Sequence, residues 1–314
     1  MNLWLFFKAV HVPVLLKEVL EHWIVSPSGF YIDCTFGRGG HTKALLQQLS
    51  PDSAVLGIDI DPNSSEPANS LQLNDSRFQF LNANYSSLYR YWALHQLPQA
   101  DGILFDLGFS TFQLNDPSRN FSYNGISSGL ELRYGVEGVS VYTILNDYSE
   151  KKLSKILKHY GNIKNSEKLV RELVEYRKKT PIKELSQLKE IVSKANLLYT
   201  RKNKNPLKLI FQALRIECNS ELDNLRNALE KVGKILKLGG KLLIITFHSL
   251  EDEVVREWAK KFTQKLKIID LGIMIPPMFK MHPNSPILPS AGEVEKNWAS
   301  RSAKLWVFEK TKDV

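Results

Sequence analysis

The stretch GFYIDCTFGRGGHTKALL, residues 29 to 46, constrains the fold more than any other. An apolar, β-forming run leads into glycines at 37, 39 and 40, and Leu45, Leu46 and Leu49 then recur as one helical face. Glycine accepts positive φ and close backbone approach, so the strand must stop in a tight turn and hand over to a helix. Three similar runs follow: AVLGIDID (54 to 61), RFQFLNAN (77 to 84) and DGILFDLG (101 to 108). Strands alternating with helices predict an α/β fold with a parallel sheet.

After about residue 115 the strand signal stops. Leu153, Ile156, Leu157 and Tyr160 recur at helical spacing, as do Leu169, Val170, Leu173 and Val174, then Leu185, Leu188 and Val192, with breaks at Gly161 and Thr180-Pro181. One long helical pattern then runs through Phe211, Leu214, Leu222, Leu225, Leu229 and Val232 to Gly239-Gly240, followed by the strand run KLLIITF. QKLKIIDLGI and AKLWVFEK, separated by a Pro-rich loop from Pro276 to Pro289, read as a pair able to close the sheet as a hairpin. The expected organisation is a discontinuous sheet domain, 1–115 plus 207–314, interrupted by a helical insertion, 116–206.

Charge singles out that insertion. Residues 151 to 210 hold 17 Lys and Arg against 5 Asp and Glu, whereas the rest of the chain holds 25 against 28. The whole basic surplus of the +9 chain therefore sits in one segment. Such a block is either a solvated helical face or the footprint of a polyanion, because Lys and Arg release counterions condensed on phosphates. The apolar opening MNLWLFFKAV is too short to span a bilayer and lacks a small-residue cleavage site, so a cytoplasmic protein without a membrane partner is expected. Two cysteines, Cys34 and Cys218, with no CxxC pair and no histidines at ligand spacing, suggest neither disulfides nor a metal.

The glycine turn is not a P-loop, since His41 and Thr42 follow Gly40 where Lys and Ser or Thr are needed. Nor is it a full dinucleotide fingerprint, because the third glycine counted from Gly37 and Gly39 would fall on Thr42. Asp59 ends the next strand 20 positions after Gly39, the spacing at which a carboxylate accepts hydrogen bonds from a ribose diol. A nucleoside cofactor without pyrophosphate fits, S-adenosylmethionine being the obvious one, and a plain strand-to-helix connection is the alternative. Asp106 ends the fourth strand, so Asp33, Asp59 and Asp106 are expected on one rim, where open α/β sheets bind ligands.

Taken in order, HVPVLLKEVL, DCTFGRGGH, GIDIDP, DGILFDLG, FQALRI with NSEL, ITFHSLED and SRSAKL resemble the bacterial small-subunit ribosomal RNA cytosine-N(4) methyltransferases over residues 11 to about 308. The resemblance implies a Rossmann-like S-adenosylmethionine-dependent methyltransferase sheet with an inserted helical domain. It also implies methylation of the exocyclic amine of a cytidine in the decoding region, with ribosomal RNA or the small ribosomal particle as partner. The family's cofactor contacts fall on Gly39, Gly40, His41, Asp59, Tyr85, Asp106 and Gln113. The insertion becomes the candidate RNA-recognition domain. The chain departs from the family at SGLELRYG (128 to 135), NPLKL (205 to 209), STFQ (110 to 113) and Glu253, mostly on the substrate side. Those departures leave open a silent RNA-binding homologue or a methyltransferase for another amine.

The chemistry selects a catalytic candidate. The cytosine amine is a weak nucleophile because its lone pair is delocalised into the ring, so an acceptor on its hydrogen helps as the methyl transfers. Asp106 is that candidate, the alternative being that it serves the cofactor. Lining up amine, methyl carbon and sulfur is worth up to about 7 to 11 kcal/mol and should outweigh general-base power. Phe109, Phe112, Phe121 and Tyr123 could wall a splayed-out base or simply be core, and Arg119 and Arg133 could hold phosphates or pair with acids. Neither cysteine lies in the Pro-Cys dipeptide that carbon-5 cytosine enzymes need. Ser249 with Asp252 three residues on reads as a helix-capping box, His248 standing just before it at the strand end.

Overall fold

The computed structural model describes residues 12–109, 111–115, 121, 129–164, 166–195, 205–268 and 273–313. These form two compact units, Met1–Gly108 with Asn224–Val314, and Phe109–Asp223.

Among the described residues, the first unit holds nine strands: β1 (Phe30–Asp33), β2 (Ala54–Asp59), β3 (Phe78–Asn82), β4 (Ala100–Asp106), β5 (Leu236–Thr246), β6 (Leu266–Ile268), β7 (Ile273–Ile275), β8 (Phe279–Met281) and β9 (Lys304–Lys310). Seven make one sheet in the order β3-β2-β1-β4-β5-β9-β8. β1 to β5 pair in parallel, and β9 runs antiparallel between β5 and β8. This is a Rossmann-like α/β sheet. The chain order reverses between β1 and β4, which makes the carboxyl ends of those two strands the switch point where such sheets bind ligands. Trp23, Tyr31, Phe36, Leu45, Phe78, Leu104, Leu243, Ile245 and Leu305 are buried in one cluster of this unit.

The structure departs from periodicity in three places. The two C-terminal runs do not pair with each other: β6 and β7 form their own two-stranded sheet, while β9 takes β5 and β8 as neighbours. The reason is that β9 is buried almost throughout, a burial that only a place inside the main sheet supplies. Gly239-Gly240 lie within β5 rather than before it, at an irregularity where the register against β4 shifts. The long helical pattern is two helices, Pro206–Asn219 and Glu221–Ile235, broken at Ser220, whose φ of 49° no helix continues.

The second unit consists mainly of helices, Val141–Asp147, Glu150–His159, Ser166–Lys179, Leu185–Lys194 and Pro206–Asn219, and the breaks at Gly161 and Thr180-Pro181 fall where expected. Its core gathers Leu153, Ile156, Leu169, Leu173, Leu188 and Ile191 with Ile210, Phe211 and Leu214. Those last three explain why the unit runs to Asp223 instead of stopping near 206.

Candidate active site

The site is assembled by the segment after β1. Asp33, at the strand's last position, is fully buried; its Oδ1 accepts the Thr35 N–H at 3.1 Å and its Oδ2 the Thr42 hydroxyl at 2.7 Å. Burial raises its carboxyl above the ordinary range, and the two hydrogen bonds oppose the rise. Asp33 therefore braces the turn from inside, tying its first residue to the helix Gly40–Leu46. Thr35 in turn accepts the Asp106 N–H through Oγ1 at 2.7 Å, fixing the end of β4 against the same turn.

The three glycines have different reasons. Gly39 has φ 75°, and a Cβ there would lie 2.6 Å from the Phe36 ring. At Gly40 a Cβ would lie 2.5 Å from Pro13. Gly37 has φ 55°, yet the nearest atom to its Cβ position is the Thr35 carbonyl oxygen at 3.9 Å. Two glycines are thus required by protein packed against the turn, and the third presents bare backbone to open space. The Gly37 N–H donates to Asp59 Oδ2 at 2.6 Å, and the Asp61 N–H to Asp59 Oδ1 at 2.8 Å. Each carboxylate oxygen keeps a lone pair for a further donor. Burial nonetheless pushes the Asp59 carboxyl up to about 6.

Tyr85 opens a short turn capped by Asn84, whose Oδ1 accepts the Ser86 N–H at 2.9 Å. Its ring meets Phe105 edge-on, 5.4 Å between centroids at 89°. Asp106 projects from the end of β4 with Oδ2 3.5 Å from His41 Nε2. Among the described residues, Asp106 Oδ1 and both ring nitrogens of His41 are buried without a hydrogen-bond partner, and His41 is only 6% exposed. Unsatisfied polar atoms of this kind are uncommon and gather where a ligand completes them. Bare backbone at Gly37, a doubly anchored acceptor at Asp59, an aromatic ring at Tyr85 and unsatisfied atoms at Asp106 fit a nucleoside without pyrophosphate.

Comparison with known proteins agrees. The model of the MraW methylase family matches residues 8–311. The chain belongs to that family. It is 37% identical over 309 residues to a protein of Fusobacterium nucleatum named ribosomal RNA small subunit methyltransferase H, covering 96% of this chain and 98% of the relative. A protein of Caldicellulosiruptor saccharolyticus with the same name is 36% identical over 307 residues, covering 96% and 99%. Among solved structures, an rRNA methylase from Streptococcus thermophilus aligns over 95% of this chain and 94% of that one, at 12% identity and a TM-score of 0.43.

Gln113 lies in the second unit, half-buried on the short helix Thr111–Asn115. Phe121 is a core residue, stacked between Phe109 at 5.9 Å and Tyr134 at 5.7 Å, whereas Phe109 and Phe112 are 38% and 46% exposed. Arg133 is ion-paired with Glu131 through Nε at 2.9 Å and Nη2 at 2.8 Å. Arg119 and Tyr123 lie outside the described residues. Cys34 and Cys218 are buried and unpaired, and burial raises both thiols, which leaves neither poised as a thiolate.

The capping box at the end of β5 is displaced by one residue from the expected position. His248 caps the helix Ser249–Phe262, its Nδ1 accepting the Glu251 N–H at 3.3 Å, while Glu251 Oε2 accepts the N–H groups of Phe247 and His248. Thr35 and Thr42, the two braces, escaped the sequence reading. An Asp at a strand end just before a turn is an Asx-turn signal, its carboxylate accepting the backbone N–H two residues on, and could have exposed the first.

Proposed function

We propose that this methyltransferase transfers the methyl group of S-adenosylmethionine to the exocyclic N(4) amine of a cytidine in small-subunit ribosomal RNA. The observation that carries the reading is Asp106: a carboxylate at the switch point of the sheet, with one oxygen buried and unsatisfied beside the glycine turn. The bound cofactor would supply a methyl group on a positively charged sulfur, which leaves as a neutral thioether. The cytosine amine contributes the electron pair of the new N–C bond and gives up one proton, for which the Asp106 carboxylate is the acceptor. The backbone N–H of Asp106 donates to Thr35 Oγ1, which fixes the point from which the carboxylate leaves the strand.

Asp59 is assigned to the ribose hydroxyls, Tyr85 to the face of the adenine, and Gly39, Gly40 and the backbone of His41 to the amino-acid end of the cofactor. Gln113 is assigned to the cofactor on the family resemblance alone. The second unit is the RNA-recognition domain in this reading, supported by the surplus of positive charge in residues 151 to 210; Lys202 and Lys204, within that block, lie outside the described residues. A ribosomal substrate implies a cytoplasmic protein, and no helix among the described residues is long and apolar enough to cross a membrane.

The reading is tested by incubating the protein with methyl-labelled cofactor and small ribosomal subunits that lack the mark. Label on one cytidine is the expected result. Bound cofactor with unlabelled RNA contradicts it and leaves a silent RNA-binding homologue in its place.

A further inference from the structure

The pair His41 and Asp106 carries one step more. His41 sits in the first turn of the helix Gly40–Leu46, and its ring is buried in a protein that offers neither nitrogen a hydrogen bond among the described residues. A neutral imidazole must carry its proton on one nitrogen and a bare lone pair on the other, so burying both unpartnered is costly. Two carboxylates face it: Asp33, from β1, whose oxygens are taken by Thr35 and Thr42, and Asp106, from β4. Each Asp33 oxygen already accepts one hydrogen bond and each Asp106 oxygen none among the described residues, and Nε2 stands 3.5 Å from Asp106 Oδ2, a separation that a small rotation closes to a hydrogen bond.

We propose that His41 is a positioning residue for Asp106. Its Nε2–H holds the Asp106 carboxylate through Oδ2, and that contact fixes how the carboxylate is turned towards the site. Thr35 fixes the backbone of Asp106 and His41 its side chain. The role is distinct from a cofactor contact made through the His41 backbone, and it rests on the reaction proposed above. Outer-shell groups that orient metal-ligating side chains are typically worth about 10- to 100-fold when removed, and a loss of that order is expected for a group that orients a reacting carboxylate.

Two measurements test it. In the first, kcat and KM are measured for His41→Leu, His41→Gln, Asp106→Asn and the double variant His41→Leu with Asp106→Asn. His41→Leu should lower kcat by about 30-fold with KM for both substrates little changed, and His41→Gln, which restores an N–H donor, should recover most of the loss. In the Asp106→Asn background the same His41→Leu change should cost less than about twofold, because a residue that acts through Asp106 has nothing left to position. In the second, imidazole 15N spectra of the protein without cofactor should show a proton on His41 Nε2 and a displaced Nε2 resonance in Asp106→Asn. An additive cycle, or an Nε2 resonance indifferent to Asp106, overturns the assignment. If the wild-type protein methylates no cytidine, the proposed reaction fails and the spectra alone decide whether the pair exists.

Discussion

Gly37 donates its backbone N–H to Asp59 Oδ2 at 2.6 Å, so the carboxylate assigned to the ribose also clamps the turn after β1 to the end of β2. One group thus shapes the turn and is the intended receiver of the sugar. Asp59→Ala removes both functions. Cofactor affinity should fall by roughly 10- to 100-fold, the cost of unpairing hydrogen bonds to a charged group, while affinity for ribosomal RNA stays near that of the wild type. Calorimetry with the cofactor and filter binding with RNA separate the two; equal losses in both would count against Asp59 as the ribose acceptor.

The same residue gives cofactor binding a pH dependence. Burial raises the Asp59 carboxyl from its ordinary 3.8 to about 6, so its neutral form favours the fold; that contribution is complete below 3.8 and is lost as pH rises through about 6. Binding has the opposite sign, because ribose hydroxyls donate best to the ionised carboxylate. Affinity should be constant above about pH 7 and fall by up to about tenfold per unit below pH 6. Titration calorimetry between pH 5 and 8 measures this, and Asp59→Asn should flatten the profile.

Alanine at Gly39 and at Gly37 should grade by what the new methyl group meets. Gly39→Ala meets the Phe36 ring at positive φ and should cost roughly 2 to 5 kcal/mol of stability. Gly37→Ala meets nothing closer than 3.9 Å and should cost about 1 to 2 kcal/mol, the left-handed backbone penalty alone. Thermal unfolding ranks them. A Gly37 variant less stable than the Gly39 variant would contradict the division between packed and open glycines.

Lys151, Lys155 and Lys158 are exposed on the helix Glu150–His159 at spacings that share a face. Changing all three to Gln should weaken RNA binding and lower the slope of log affinity against log salt by about 0.7 to 0.9 for each phosphate the helix no longer neutralises. An unchanged slope removes this helix from the RNA surface.

The sheet was legible because buried parallel strands read as continuous apolar runs, and the turn because glycines at 37, 39 and 40 interrupt one of them. What sequence concealed was the division of labour among like residues. Asp33, Asp59 and Asp106 all end strands, but only the structure separates Asp33, spent on Thr35 and Thr42, from Asp106, whose Oδ1 is unsatisfied. Phe211 and Leu214 likewise present the same helical period whichever core they enter, so the end of the second unit could not be read from spacing. His248 went unseen as a cap because histidine is an unusual one, and Ser249 beside it carries the commoner signal.

The nucleosides of small-subunit ribosomal RNA, compared by mass spectrometry between cells that hold this protein and cells that lack it, test the central claim most directly. Methylation at N(4) of one cytidine, present with the wild-type protein and lost both in its absence and with Asp106→Asn, is the expected result. An identical nucleoside profile in both cell types, or a mark on a different base, would contradict it.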